Sequence, residues 1–228
     1  MSKTTLIVVR HGNTFNSGDV ILRVGGKTDL PLTEKGIAQG EAVGKELLKQ
    51  GFAPEIIFSA PLLRTMRSAQ GIADSFPGVE IVKEEFLTEL EYGIDDGAPE
   101  DDVVIRLGML EELDRITLET TVDDLREYGK AALKRWDNTA QLPKAWHHLE
   151  SKAAALNSQW QQFAAKVAAD FAGKTVVAVT SNGIARFSKA ILPETSDIPE
   201  NLKLATGAFG VYTFENGSWQ CTQWNVRP

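Results

Sequence analysis

Short unbroken apolar runs alternate along this chain with longer amphipathic stretches, and the two patterns predict different elements. Leu6-Ile7-Val8-Val9 is apolar and largely β-branched with no polar interruption, as in a strand buried on both faces. Glu55-Ile56-Ile57-Phe58-Ser59 and residues 175–179 repeat that pattern, and residues 79–82 form a shorter strand between them. Between the runs the spacing changes. Ile37, Gly40, Gly44, Leu47 and Leu48 recur at helical intervals over about 34–50, with Thr33 in place as an N-cap. A second helix starts at Ala60-Pro61-Leu62-Leu63-Arg64 and runs to about Ser75, and another covers about 184–191. Residues 94–172 carry no convincing strand and read as a mostly helical insertion, with Trp136, Trp146 and Trp160 as anchors. Residues 207–214 and 219–224, joined by Glu215-Asn216-Gly217-Ser218, predict a closing hairpin.

Strands alternating with helices imply crossover connections and a mainly parallel sheet covered on both sides, a three-layer α/β/α arrangement. With 228 residues, 43% of them hydrophobic, a single domain spanning residues 1–228 is the favoured organisation. In open parallel sheets ligands bind at the carboxyl ends of the strands. Three such ends here present Arg10-His11-Gly12, Arg64 and Ser181-Asn182 on one edge. Arginine offers a planar fork for an oxyanion, histidine a nucleophile or acid–base group, and glycine a backbone that approaches a ligand closely.

Charge narrows the partners. A net charge of -7 and a pI near 5.1 argue against nucleic acid or an anionic membrane as the main partner, so any anion site must be a local basic pocket. The start of the chain has no signal-peptide layout and no apolar run approaches the length of a membrane span, which predicts a cytoplasmic protein. Cys221 is the lone cysteine and reads as a small buried strand residue. The sequence carries no signal of oligomeric state.

Four segments then act together. Val9-Arg10-His11-Gly12-Asn13-Thr14, Thr28-Asp29-Leu30-Pro31-Leu32-Thr33-Glu34-Lys35-Gly36, Ser59 to Ala69 around Arg64, and Leu87 to Gly93 around Glu89 are each weak alone, but specific in this order and spacing. In this respect the chain resembles the histidine phosphatase superfamily, with the phosphoglycerate-mutase-like fold, over most of its length outside about 94–172. The resemblance implies that His11 becomes transiently phosphorylated, that Arg10 and Arg64 grip the phosphoryl group, and that Glu89 protonates the leaving oxygen. It implies no cofactor and no metal, and a small phosphorylated metabolite as partner. Residue chemistry agrees: two guanidinium groups can cover the phosphoryl oxygens while a neutral imidazole nitrogen attacks in line. The other ring nitrogen should donate to a backbone carbonyl near Gly12. Like charges on Glu84, Glu85, Glu91, Asp95 and Asp96 are expected to favour the protonated form of Glu89.

Asn13, with Thr14, is a further candidate for a phosphate oxygen, and Arg23 with Gly25 and Gly26 for substrate contact, because the family loop there borders the pocket. Arg67, one turn beyond Arg64, reads as a surface or supporting residue. The chain also departs from the family pattern. The usual second histidine, in a Ser-His-Gly-Gly turn, is matched by Thr180-Ser181-Asn182-Gly183, with Ser181 at its place. A charge-assisted contact contributes about 1.5–3 kcal/mol, so its loss would slow turnover by roughly ten- to a few hundredfold. Ser181 and Asn182, at a helix N-terminus, remain as candidate phosphate ligands. Ser17 stands where many relatives have an asparagine. His147 and His148 read as a solvated pair, one of which could fold over the site. Three functions stay in view: a phosphomonoesterase acting through phosphohistidine, a phosphoryl-ligand binder with impaired catalysis, and a phosphoglycerate-type mutase, which would need extra basic residues around the pocket.

Overall fold

A computed structural model describes residues 3–196 and 199–228. Six strands form one sheet in the order β3-β2-β4-β1-β5-β6, where β1 is Thr4–Arg10, β2 Pro54–Ser59, β3 Glu80–Lys83, β4 Thr175–Thr180, β5 Phe209–Glu215 and β6 Ser218–Val226. β1 to β4 are mutually parallel, and β5 runs antiparallel to β1, so the closing hairpin makes the sheet mixed. Its turn, Asn216-Gly217, has positive φ at both residues (52° and 80°), which Asn and Gly tolerate and which matches the twist of the strands.

The apolar runs are buried on both faces, as their lack of alternation predicts. Ile7, Val9, Ile57, Val177 and Val179 face α1 (Glu34–Lys49) and α2 (Leu63–Ala73), where Val43, Leu47, Ala69 and Ile72 complete one core. Thr33 caps α1, its hydroxyl accepting from the Gly36 N–H at 3.1 Å. Leu6, Val8, Phe58, Val176 and Ala178 face the other way, toward Trp160, Phe163, Ala164 and Val167 of α5 (Glu150–Asp170). The stretch 94–172 is helical as expected: α3 (Glu100–Glu111), α4 (Val122–Thr139) and α5. Its second half is not peripheral, because α5 is the layer that covers this face of the sheet. α3 and α4 approach so closely that a Cβ on Gly108 would lie 1.8 Å from the Leu125 carbonyl oxygen, and one on Gly129 1.8 Å from that of Val104.

The helix expected over 184–191 is shorter. One α-turn, α6 (Asn182–Ala185), passes into a 3₁₀ stretch, Arg186–Ile191, with Arg186 turned into the protein. Cys221 is half-buried in β6, and burial raises its thiol to about 11. No helix among the described residues is long and apolar enough to cross a membrane.

Candidate active site

The carboxyl end of the parallel strands opens into a cavity of about 640 Å³. β1 and β4 are neighbours in register, Arg10 opposite Thr180, so the residues just beyond each strand emerge side by side. The His11 N–H donates to the Thr180 carbonyl at 3.0 Å, fixing the chain where it leaves the sheet. His11 is buried and lines the cavity, and its Nδ1 lies 2.7 Å from the Gly12 carbonyl oxygen. A carbonyl only accepts, so Nδ1 carries the proton and Nε2 holds the lone pair. Burial lowers the imidazole well below its ordinary value, and the Arg64 and Arg10 charges depress it further, so the ring is neutral near pH 7. Gly12 must be glycine: a Cβ there would lie 2.1 Å from the Gly36 carbonyl oxygen, where the loop seats on the start of α1.

Arg10 lines the cavity with Nη1 on the Leu204 carbonyl at 2.7 Å, and burial lowers its guanidinium to about 10. Arg64 is near enough to His11 to depress it, but is completely buried and lies behind the cavity wall. Its Nη1 donates to the Thr28 carbonyl at 2.9 Å and its Nη2 to that of Gly25 at 3.1 Å. The Nε atoms of Arg10, Arg23 and Arg64 and the Ser181 hydroxyl are buried without a hydrogen-bond partner.

Glu89 lines the cavity, but not in the surroundings the sequence suggested. Glu91 is exposed, Asp95 is paired with Arg106 and the Trp146 indole, and Asp96 is spent on Thr28 and the Gly25 N–H. The neighbours that matter are cations: Arg10, Arg64 and Arg186 all feel the Glu89 charge. Its Oε1 accepts from the Leu90 N–H at 2.8 Å and its Oε2 from the Gly183 N–H at 2.9 Å. The anion at the start of α6 is therefore a protein carboxylate, and the Gly183 N–H is not free for a ligand. Ser181 does not line the cavity, whereas Asn182 does, its Oδ1 accepting from the Leu204 N–H at 3.1 Å so that its NH₂ remains as donor. Asn13 and Thr14 line the wall, and the Asn13 side-chain oxygen accepts from the Thr206 hydroxyl.

Arg23 lies on the wall, whereas Gly25 and Gly26 lie behind it. Their contribution is close packing: a Cβ would meet Asp96 Oδ2 at 2.1 Å from Gly25, and the Glu89 carbonyl oxygen at 2.6 Å from Gly26. Ser17 borders the cavity at an exposed position. Arg67 does not line it, nor do His147 and His148, which are exposed.

The sequence reading missed the far wall. Arg186 is fully buried, stacked 3.9 Å over Trp136, and bonded to the Trp136 and Asn182 carbonyls and, at 3.3 Å, to Asp137. Lys203 joins Asp137 at 2.7 Å. Tyr92, whose hydroxyl burial holds in its neutral form, and Glu100 complete that side. Burial raises the Glu100 carboxyl, against the pull of Arg23. The available signal was an arginine inside the otherwise apolar run Ile184-Ala185-Arg186-Phe187.

Residues 6–110 match the profile of the histidine phosphatase superfamily (branch 1). The 2,3-bisphosphoglycerate-dependent phosphoglycerate mutase of Rhodococcus opacus (strain B4) is 28% identical over 191 residues, 80% of this chain and 73% of that protein. Its counterpart from Bartonella bacilliformis is 33% identical over 109 residues, 46% of this chain and about half (52%) of that protein. Among solved structures, phosphoglycerate mutase from Bacillus anthracis str. Sterne superposes with a TM-score of 0.73 at 17% identity, over 98% of this chain and 93% of that one. A mycobacterial glucosyl-3-phosphoglycerate phosphatase gives 0.66 at 20% identity, over 98% and 99% of the two chains. These likenesses establish the fold, and the matched profile spans the strand ends that carry Arg10, His11, Arg64 and Glu89. The chain is thus similar to the histidine phosphatase superfamily over residues 6–110, and it has the phosphoglycerate-mutase-like fold.

Proposed function

We propose that this protein hydrolyses small phosphomonoesters through a phosphohistidine at His11. The observation that carries the reading is the imidazole itself: neutral, tied through Nδ1 to the Gly12 carbonyl, and set near Arg10 on the cavity wall and the buried Arg64 behind it. Nε2 attacks phosphorus as the bond to the leaving oxygen breaks, and Glu89, having taken up the proton that a monoanionic ester brings into the site, passes it to that oxygen. Water then attacks the phosphohistidine, the resulting Glu89 carboxylate takes the proton of that water, and phosphate leaves with the imidazole neutral again. The unpartnered Nε atoms of Arg10 and Arg64 are donors that a phosphoryl oxygen would satisfy, in the low-dielectric setting where such bonds count most. Arg64, behind the wall, reaches it only once the wall moves. With Ser181 buried away from the cavity, catalysis proceeds without a second imidazole, which points to slow turnover.

Trapping with a chromogenic phosphate ester tests this. Acid-labile phosphoenzyme and steady release of phosphate, both lost in His11→Ala, are expected; turnover that survives His11→Ala unchanged ends the reading. The curated mutase relatives favour a second reading, a mutase, for which a bisphosphate requirement would be diagnostic.

A further inference from the structure

The arginines of the cavity walls beyond His11 each carry a carboxylate partner. Arg23, lying over the adjoining rings of Tyr92 (5.4 Å) and Trp146 (5.0 Å), is paired with Glu100 at 2.5 Å. Asp137 is the counter-charge of the buried Arg186, at 3.3 Å, and is shared at 2.7 Å with Lys203, whose half-exposed ammonium is screened by solvent. By contrast Arg10 has no ion-pair partner among the described residues, and Arg64 only a distant one, Asp29 at 3.8 Å. Among the described residues the cations beside the imidazole are thus the ones with no close counter-ion, Glu89 acting on them only at longer range. The remaining wall is largely uncharged, with Phe15, Leu22, Leu133 and Trp136 beside neutral polar groups such as Thr14 and Asn182. Lys35 also borders the opening, but on the exposed first turn of α1, where water and salt screen it.

We propose that the site selects phosphomonoesters whose leaving group is uncharged, and that Glu100 and Asp137 are the specificity residues that turn away a second anionic group. An ester carrying a carboxylate or a second phosphate has to displace a carboxylate already seated on the arginine it would use, or lie beside it without a counter-charge. Rejection by a placed like charge is an established route to selectivity. The inference rests on the phosphoryl site proposed above, and its test separates the two.

Calorimetric binding to the His11→Ala protein, which cannot turn over, compares propyl phosphate with 3-phosphoglycerate. Propyl phosphate should bind at least about tenfold more tightly, the scale of one uncompensated like charge at a partly buried site. Adding Glu100→Gln, which keeps an acceptor for Arg23, or Asp137→Asn should cut that preference about fivefold or more, mainly by improving 3-phosphoglycerate. Equal or tighter binding of 3-phosphoglycerate to the His11→Ala protein overturns the inference, as does a ratio that neither added substitution moves. Binding of both esters with that result leaves the phosphoryl site standing and removes only the selectivity. Binding of neither removes the phosphoryl site, and the selectivity falls with it.

Discussion

Gly183→Ala is a sharp test of how the acid is held. Gly183 has no left-handed φ, so alanine fits its backbone and the whole effect is one added methyl group. That Cβ would lie 2.1 Å from Glu89 Oε1 and 2.7 Å from the Tyr92 hydroxyl. Ordinary contact begins near 3.5 Å, so the carboxyl must retreat by roughly 1 Å or more, straining or breaking its bond from the Gly183 N–H. A displacement of that size in a catalytic group costs about 10²-fold, within the range of about 10²–10⁴-fold that a positioned acid supplies. The loss should depend on the leaving group. An alkyl phosphate, which needs its oxygen protonated, should lose about 10²-fold in kcat/KM, and p-nitrophenyl phosphate, whose phenolate departs unaided, less than about tenfold. Measuring kcat/KM for both esters in the wild type and the variant decides it, with denaturant unfolding to separate an overpacking cost of about 1–3 kcal/mol. Equal losses for the two esters, or no loss for either, would refute the assignment of Glu89 as a proton donor held by Gly183.

Other consequences are more local. Gly129→Ala should destabilise by about 3 kcal/mol or more, because its Cβ would meet the Val104 carbonyl oxygen at 1.8 Å and α3 and α4 must part; a lowered Cm in urea checks it. Asp95→Asn should cost about 2 kcal/mol by chemical denaturation, since it removes the buried charge that Arg106 and the Trp146 indole share, while Arg106 keeps some access to solvent. The His11 imidazole, depressed by burial and two cations, should protonate well below pH 6.5 in an NMR titration of the ligand-free protein, so its contribution to the acidic limb of kcat/KM lies below that value. The unfolded chain takes up this proton at the ordinary value and the folded chain resists it, so stability is full above about pH 6.5 and falls as the pH drops toward the folded value. His11→Ala should flatten that part of the stability profile.

Much of the scaffold is written locally. Runs such as Leu6 to Val9 leave a strand no polar face to expose, so they dictate burial on both sides, and a strand that ends in Arg10-His11-Gly12 puts its chemistry at the sheet edge wherever its neighbours lie. Asn216-Gly217 likewise encodes its turn through backbone sterics alone. The Nδ1 contact of His11 is legible for the same reason, because its acceptor is one residue away.

What the sequence could not determine is which charges meet. Glu89 lies in an acidic stretch of chain, yet its functional neighbours are Arg10, Arg64, Arg186 and the N–H of Gly183, which is 94 residues away. Glu100 and Asp137 lie in a region whose lack of strands already marks it as helical, but only the packing of α3 and α4 beside the sheet brings them to Arg23, Arg186 and Lys203. Hydrophobic pattern is a property of neighbouring residues and survives in the sequence. Electrostatic partnership falls off with distance in space, so it exists only once the chain is folded.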